Sequence, residues 1–128
     1  MIVVDRALDQ GRNKRRLGKK TLTDSVYRAA ILTARDIDSN SDPTRASAGV
    51  AMATTLERHG VRLSSGIKPT GKPIPGVIEI EGGEGIIISV PDDDRPADWT
   101  TIARQNRWHQ THLVHFAPQS LSIKTVAV

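Results

Sequence analysis

The segment GVIEIEGGEGIIISV, residues 76–90, constrains the fold more than any other part of this chain. Isoleucines alternate with other residues before the glycine-rich turn, at Ile78 and Ile80, and after it, at Ile86 and Ile88. Period-two alternation on both sides of a turn is the pattern of two antiparallel strands. The segment therefore predicts a β-hairpin, and the chain must contain a sheet.

Two helices are predicted ahead of this hairpin. Residues 21–38 place apolar side chains at helical spacing, and Thr21 with Asp24 has the spacing of a capping box. A second helix is predicted over about 43–59, with Asp42 as its N-cap and with a proline in its first turn.

The second helix is expected to end at Gly60, where a left-handed residue closes a Schellman motif. Its interior is rich in alanine, and small side chains allow a helix or a sheet to approach closely. We expect this face to pack within the molecule, with a subunit interface as the alternative.

The remaining part of the chain supplies a connector, a third helix and two more strands. Residues 66–76 contain three prolines and three glycines and are predicted to be a connector. A short helix is expected from Pro96 to about Arg107, with strands following at about 112–117 and 121–128.

The predicted order is arm, α, α, β, β, α, β, β. Hairpins without alternating βα units favour an α+β fold with a mostly antiparallel sheet packed by helices. The length of 128 residues fits one domain. We expect residues 21–128 to form it and residues 1–20 to be a basic docking arm, in which Ile-Val-Val at 2–4 has the composition for one short strand.

Composition excludes several classes of protein. Cysteine is absent, so a disulfide, a thiolate nucleophile and a cysteine-based zinc site are excluded. No apolar run approaches the roughly 20 residues of a membrane span. Asp5 interrupts the apolar start, so a signal peptide is not expected, and the expected location is cytoplasmic or virion-associated. The four aromatic residues imply a modest core and favour a subunit supported by neighbours.

The run GRNKRRLGKK, residues 11–20, is the strongest candidate for a binding segment. It carries six cations and no anion, and the net charge of the chain is +4. Arg28 and Arg35 lie seven residues apart on the first predicted helix and extend the basic patch. The predicted partner-binding or nucleic-acid-binding residues are Arg12, Lys14, Arg15, Arg16, Lys19, Lys20, Arg28 and Arg35. The arm lacks aromatic residues that stack bases, so reading of a nucleic-acid sequence is not expected.

Two further clusters of residues are candidate functional sites. Glu79, Glu81 and Glu84 crowd the hairpin and are predicted to be a negative interface that meets the basic arm of a neighbouring subunit. His109, His112 and His115 are weak candidates for metal ligands, with Asp92, Asp93 and Asp94 as possible oxygen donors. The pattern of a zinc protease is absent, so no metal or other cofactor is expected.

These observations predict a non-enzymatic structural subunit of a multi-subunit complex, of the virion connector or capsid-accessory type or a nucleoprotein component. It is expected to be a homo-oligomer or part of a larger assembly, docking through the basic arm without contact with a membrane. A non-specific nucleic-acid-binding accessory protein is the first alternative. A small metal-dependent hydrolase or nuclease that uses the histidines is the second.

Overall fold

Three helices and five strands make up the computed structural model, which describes residues 2–7, 21–38, 44–64, 75–91, 99–117 and 120–127. In chain order the elements are β1 (Ile2–Ala7), α1 (Leu22–Asp38), α2 (Arg45–Arg58), β2 (Val77–Ile80), β3 (Glu84–Ser89), α3 (Trp99–Asn106), β4 (Gln110–Ala117) and β5 (Ser120–Ala127). This is an α+β fold, as the sequence predicts.

The strands form one sheet in the order β1-β5-β4-β3-β2. β1–β5, β5–β4 and β3–β2 are antiparallel, which confirms the predicted hairpin and the mostly antiparallel sheet. β3 and β4 are parallel, and α3 lies between them in the chain. The unit β3–α3–β4 is therefore a crossover of the kind that joins parallel strands. This parallel pair was not predictable from the sequence, because one short helix between two strands is also typical of connections between antiparallel strands.

The two faces of the sheet pack against different helices. Alternate residues of each strand point to opposite faces. One face packs under α1 and α2, in a cluster that includes Val26, Met52, Leu56, Ile86, Val114 and Ile123. The other face carries α3, in a smaller cluster of Ile87, Ile102, Ala103 and Trp108. Nearly all of this apolar surface is aliphatic, as the scarcity of aromatic residues implies.

The first strand places the start of the predicted arm in the sheet. β1 pairs with β5 from Ile2 opposite Ala127 to Ala7 opposite Ser122. The predicted strand at 2–4 is thus present and extends to Ala7. Residues 8–20 lie outside the described residues, and in the chain they connect β1 to α1. The basic run is therefore a segment between two elements of the same domain.

The N-terminus of α1 has the predicted cap and that of α2 does not. Thr21 Oγ1 accepts a hydrogen bond from the Asp24 amide at 3.1 Å, and the Asp24 carboxylate accepts one from the Thr21 amide at 3.4 Å. In α2, the capping box consists of Thr44 and Ser47, with distances of 3.1 and 2.9 Å. The prediction that Asp42 is the N-cap is wrong, because this hydroxyl pair satisfies the amides at the helix start.

The C-terminus of α2 ends as predicted. Gly60 has φ +89°, and its amide donates to the Glu57 carbonyl at 3.0 Å. The Val61 amide donates to the Leu56 carbonyl at 3.0 Å, which completes the Schellman motif. The chain then runs along the outer edge of β2, where Leu63 pairs with Ile80.

Candidate functional site

The exposed face of α1 carries the part of the predicted basic surface that the structure describes. Arg28 and Arg35 are both exposed, and seven residues of helix separate them by about 10 Å along one side. Ile31 and Leu32 lie between them and are half-buried. Within the described ranges, neither arginine makes a hydrogen bond or an ion pair. The six cations of the run at 11–20 lie outside those ranges.

The three hairpin carboxylates lie in three different environments. Glu81 is exposed in the turn between β2 and β3. Glu79 is half-buried and accepts a hydrogen bond from Trp108 Nε1 at 3.1 Å. Glu84 is buried on the opposite face of the sheet and lies 2.9 Å from His112. The structure does not bring these residues together along one acidic edge, because β-strand alternation and tertiary contacts separate them.

The three histidines are also separated. His109 is exposed before β4, with Nε2 3.2 Å from the Gly82 carbonyl oxygen. His112 and His115 lie on β4, where a spacing of three places them on opposite faces. His115 is half-buried, and its Nδ1 lies 3.0 Å from Ser89 Oγ. The i, i+3 proximity that chelation requires belongs to a helix, and this segment is a strand.

His112 is the centre of a buried polar network that sequence analysis did not identify. Its Nε2 lies 2.9 Å from Glu84 Oε1, and its Nδ1 lies 3.0 Å from Thr125 Oγ1. The three residues come from the neighbouring strands β3, β4 and β5, and His112 pairs directly with Thr125 in the sheet. The imidazole is fully buried, and the Glu84 side chain is 12% exposed.

The geometry defines which atoms carry protons when Glu84 is ionised. A carboxylate only accepts hydrogen bonds, so Nε2 of His112 must carry the proton that points at Glu84. In the neutral ring, Nδ1 then accepts from the hydroxyl of Thr125. In the charged ring, Nδ1–H donates to the same hydroxyl oxygen. Both forms of the ring satisfy its two nitrogens.

A hydroxyl, an imidazole and a carboxylate are the groups of a nucleophilic triad. A nucleophile must however reach a substrate, and both Thr125 and His112 are buried. An open cleft of about 290 Å³ lies where the first turn of α1 meets the end of α2 and β2. Its lining does not include any member of the network. The arrangement is therefore suited to holding three strands together rather than to attacking a substrate.

The described parts of the chain contain neither a cluster of metal-ligating side chains nor a helix that could span a membrane. Those parts contain no group of three or more histidine or carboxylate side chains that could hold a metal ion. Asp92, Asp93 and Asp94 lie outside them. The helices that the structure describes are all too short or too polar to cross a bilayer.

Comparison with known proteins gives no relative for this arrangement. No protein-family profile matches the sequence, and neither curated proteins nor solved structures gave a match.

Proposed function

We propose that this protein is a non-enzymatic assembly subunit that docks onto a negatively charged neighbour through a basic surface. The surface consists of the run at 11–20 together with Arg28 and Arg35. The neighbour is another subunit of a virion or nucleoprotein complex, and a homo-oligomer is the simplest such complex.

The pairing of β1 with β5 is the observation that carries this proposal. It anchors the chain ahead of the basic run, and α1 anchors the chain after it. The described anchors lie at opposite ends of the sheet: Ala7 pairs with Ser122, near the end of β4, while Thr21 lines the cleft with Ile80 and Glu81. A basic segment tied at both ends loses less entropy on docking than a free tail of the same composition.

The acidic hairpin is not proposed as the docking partner. Glu79 and Glu84 are engaged within their own domain, which leaves Glu81 as the exposed carboxylate of the three. The negatively charged surface must therefore be supplied elsewhere on a neighbouring subunit or by another component.

Non-specific binding to a nucleic-acid backbone is the second candidate function. The specific observation in its favour is that Arg28 and Arg35 are exposed on one side of α1 without a described acidic partner. Each phosphate contact with duplex DNA contributes about 0.9 to the slope of log K against log salt. Loss of both arginines would then reduce this slope by about 2. We do not propose a metal-dependent hydrolase, since the histidines are separated.

The test is light scattering on a sizing column at low and high salt, with absorbance recorded at 260 and 280 nm. It uses the full chain, the variant Arg28→Gln/Arg35→Gln, and a control of equal charge, Arg58→Gln/Arg104→Gln, which removes exposed arginines elsewhere. An oligomer free of nucleic acid that loses mass only in the first variant supports assembly. A monomer that elutes with nucleic acid at low salt supports the second candidate. A monomer without nucleic acid in both salts rejects both.

A further inference from the structure

Ser89 and His115 form a second pair of a hydroxyl and an imidazole, on the face of the sheet opposite to the Glu84–His112–Thr125 network. Nδ1 of His115 lies 3.0 Å from Ser89 Oγ. Ser89 is the last residue of β3, and it lies opposite His115 of the parallel strand β4. The contact therefore lies near the carboxyl ends of two neighbouring parallel strands, and the register of the sheet fixes it.

Among the described residues, this pair lies just beyond the part of the sheet face that α3 covers. In the adjacent row of the sheet, Ile87 lies opposite Leu113, and both pack in the cluster with α3. Ser89 and His115 form the next row and are half-buried. A small molecule can therefore reach this pair, whereas the hydroxyl and the imidazole of the buried network are closed to it.

The geometry of the pair is that of a nucleophile and its base. A serine hydroxyl is a weak nucleophile, and a base at about 2.6–3.2 Å that takes its proton activates it. When Oγ–H donates to Nδ1, the neutral ring carries its hydrogen on Nε2, and the lone pair on Nδ1 can receive the serine proton. Ser89 and His115 are thus in hydrogen-bond contact before any reagent arrives.

We propose that Ser89 is a modification site, an activated serine that accepts an acyl group from an activated ester with His115 as its base. Such a pair assists the attack of the hydroxyl, so the donor must bring a good leaving group, as an aryl ester does. This inference goes beyond the docking function and does not depend on it.

The proposed step transfers one acyl group and involves no oxidation or reduction. Ser89 Oγ attacks the carbonyl carbon of the donor and forms a bond to it, while the hydroxyl proton passes to His115 Nδ1. The bond between the carbonyl carbon and the leaving oxygen then breaks, and the imidazolium returns the proton to that oxygen. The products are an ester on Ser89 and a free alcohol or phenol.

The test treats the full chain with para-nitrophenyl acetate and follows acetylation by peptide mass mapping. We expect an acetyl ester on Ser89, which is absent from Ser89→Ala. His115→Gln keeps a polar side chain but removes the base, and it should slow acetylation of Ser89 by about 100-fold or more. Absence of the ester on Ser89, or equal rates in the wild type and in His115→Gln, would overturn the proposal.

Ser122 provides the matched control. It lies directly opposite His115 on the other neighbouring strand, β5, and the described contacts include no hydrogen bond between the two side chains. Ser122→Ala should therefore be acetylated on Ser89 at the rate of the wild type. Acetylation of Ser122 in place of Ser89 would contradict the assignment.

Cysteine variants keep the proposal testable if an alanine variant does not fold. The chain contains no cysteine, so a single introduced thiol can be followed without background. A neighbouring imidazole promotes the reactive thiolate, so Ser89→Cys is expected to react with iodoacetamide about tenfold faster than Ser122→Cys. Adding His115→Gln to the Ser89→Cys variant should remove this difference. Equal rates for the two cysteine variants would also overturn the proposal.

Discussion

The aromatic ring of Trp108 occupies the space in which a side chain at Gly85 would begin. An ideal Cβ on Gly85 would overlap the six-membered ring of the indole. The ring nitrogen of the same tryptophan donates to Glu79 on β2 at 3.1 Å. The close approach to the Gly85 backbone and the hydrogen bond to Glu79 therefore help to fix the chain segment after α3 on the hairpin.

This contact makes Gly85 a position that cannot accept a side chain without rearrangement. We expect Gly85→Ala to lower the free energy of unfolding by about 3 kcal/mol, the upper range for an overpacked core. The buried backbone of β3 and the large indole cannot both keep their positions. Urea denaturation monitored by circular dichroism measures the change.

Gly60→Ala is the matched control for a glycine with open space around it. Its added Cβ meets no atom within 4 Å, and its φ of +89° imposes the only penalty. A loss of about 1 kcal/mol is expected there. If Gly85→Ala lowered the free energy of unfolding no more than Gly60→Ala does, this result would contradict the close packing of Trp108 against Gly85 of β3.

A double-mutant cycle measures the coupling within the buried network. His112→Leu leaves the Glu84 carboxylate buried without its partner, and we expect a loss of about 3–5 kcal/mol at neutral pH. Glu84→Met/His112→Leu removes both polar groups and should be less destabilised than His112→Leu alone. The measurement is chemical denaturation of the single variants Glu84→Met and His112→Leu and of the double variant.

Additive losses across this cycle would contradict direct contact between the two residues. Residues in one hydrogen-bonded network show interaction free energies of about 0.5–3 kcal/mol.

Thr125→Val removes only the hydroxyl that contacts His112 Nδ1. It is therefore expected to lower the free energy of unfolding by about 1 kcal/mol, less than His112→Leu does.

The N-cap of α2 can be tested by exchanging one hydroxyl. Thr44→Ala removes the acceptor for the Ser47 amide, and we expect it to lower the free energy of unfolding by about 1 kcal/mol. Thr44→Ser keeps the hydroxyl and should retain most of the stability. Equal melting temperatures for the alanine and serine variants would show that Thr44 is not the cap.

The basic face of α1 should affect docking without affecting folding. Arg28 and Arg35 are exposed and lack described partners, so Arg28→Gln/Arg35→Gln is expected to change the free energy of unfolding by less than about 0.5 kcal/mol. The same variant should weaken docking in the sizing experiment. A large loss of stability would mean that these side chains serve the fold.

Features encoded by neighbouring residues were predictable from the sequence. Thr21 with Asp24, Gly60 and the glycine-rich hairpin each act within a few positions along the chain, and each appears as expected. The cap at Thr44 was missed because Asp42 and Thr44 are both good N-cap residues, and only backbone geometry chooses between them.

Features that depend on distant residues were not predictable. Glu84 and His112 are 28 positions apart, and the strand of Glu84 has two further glutamates nearby that suggest a solvated surface. Only the parallel pairing of β3 with β4 brings Glu84 beside the histidine. The contact of Trp108 with Gly85 has the same origin, since it requires α3 to cross over the hairpin.

The pairing of β1 with β5 also has a consequence for the order of folding. Ile2 lies opposite Ala127, so a ribosome makes β1 long before it makes its partner β5. Contacts between such distant residues close slowly, because a large loop must be ordered before they form. During synthesis the basic run therefore emerges well before the strand that anchors its N-terminal side.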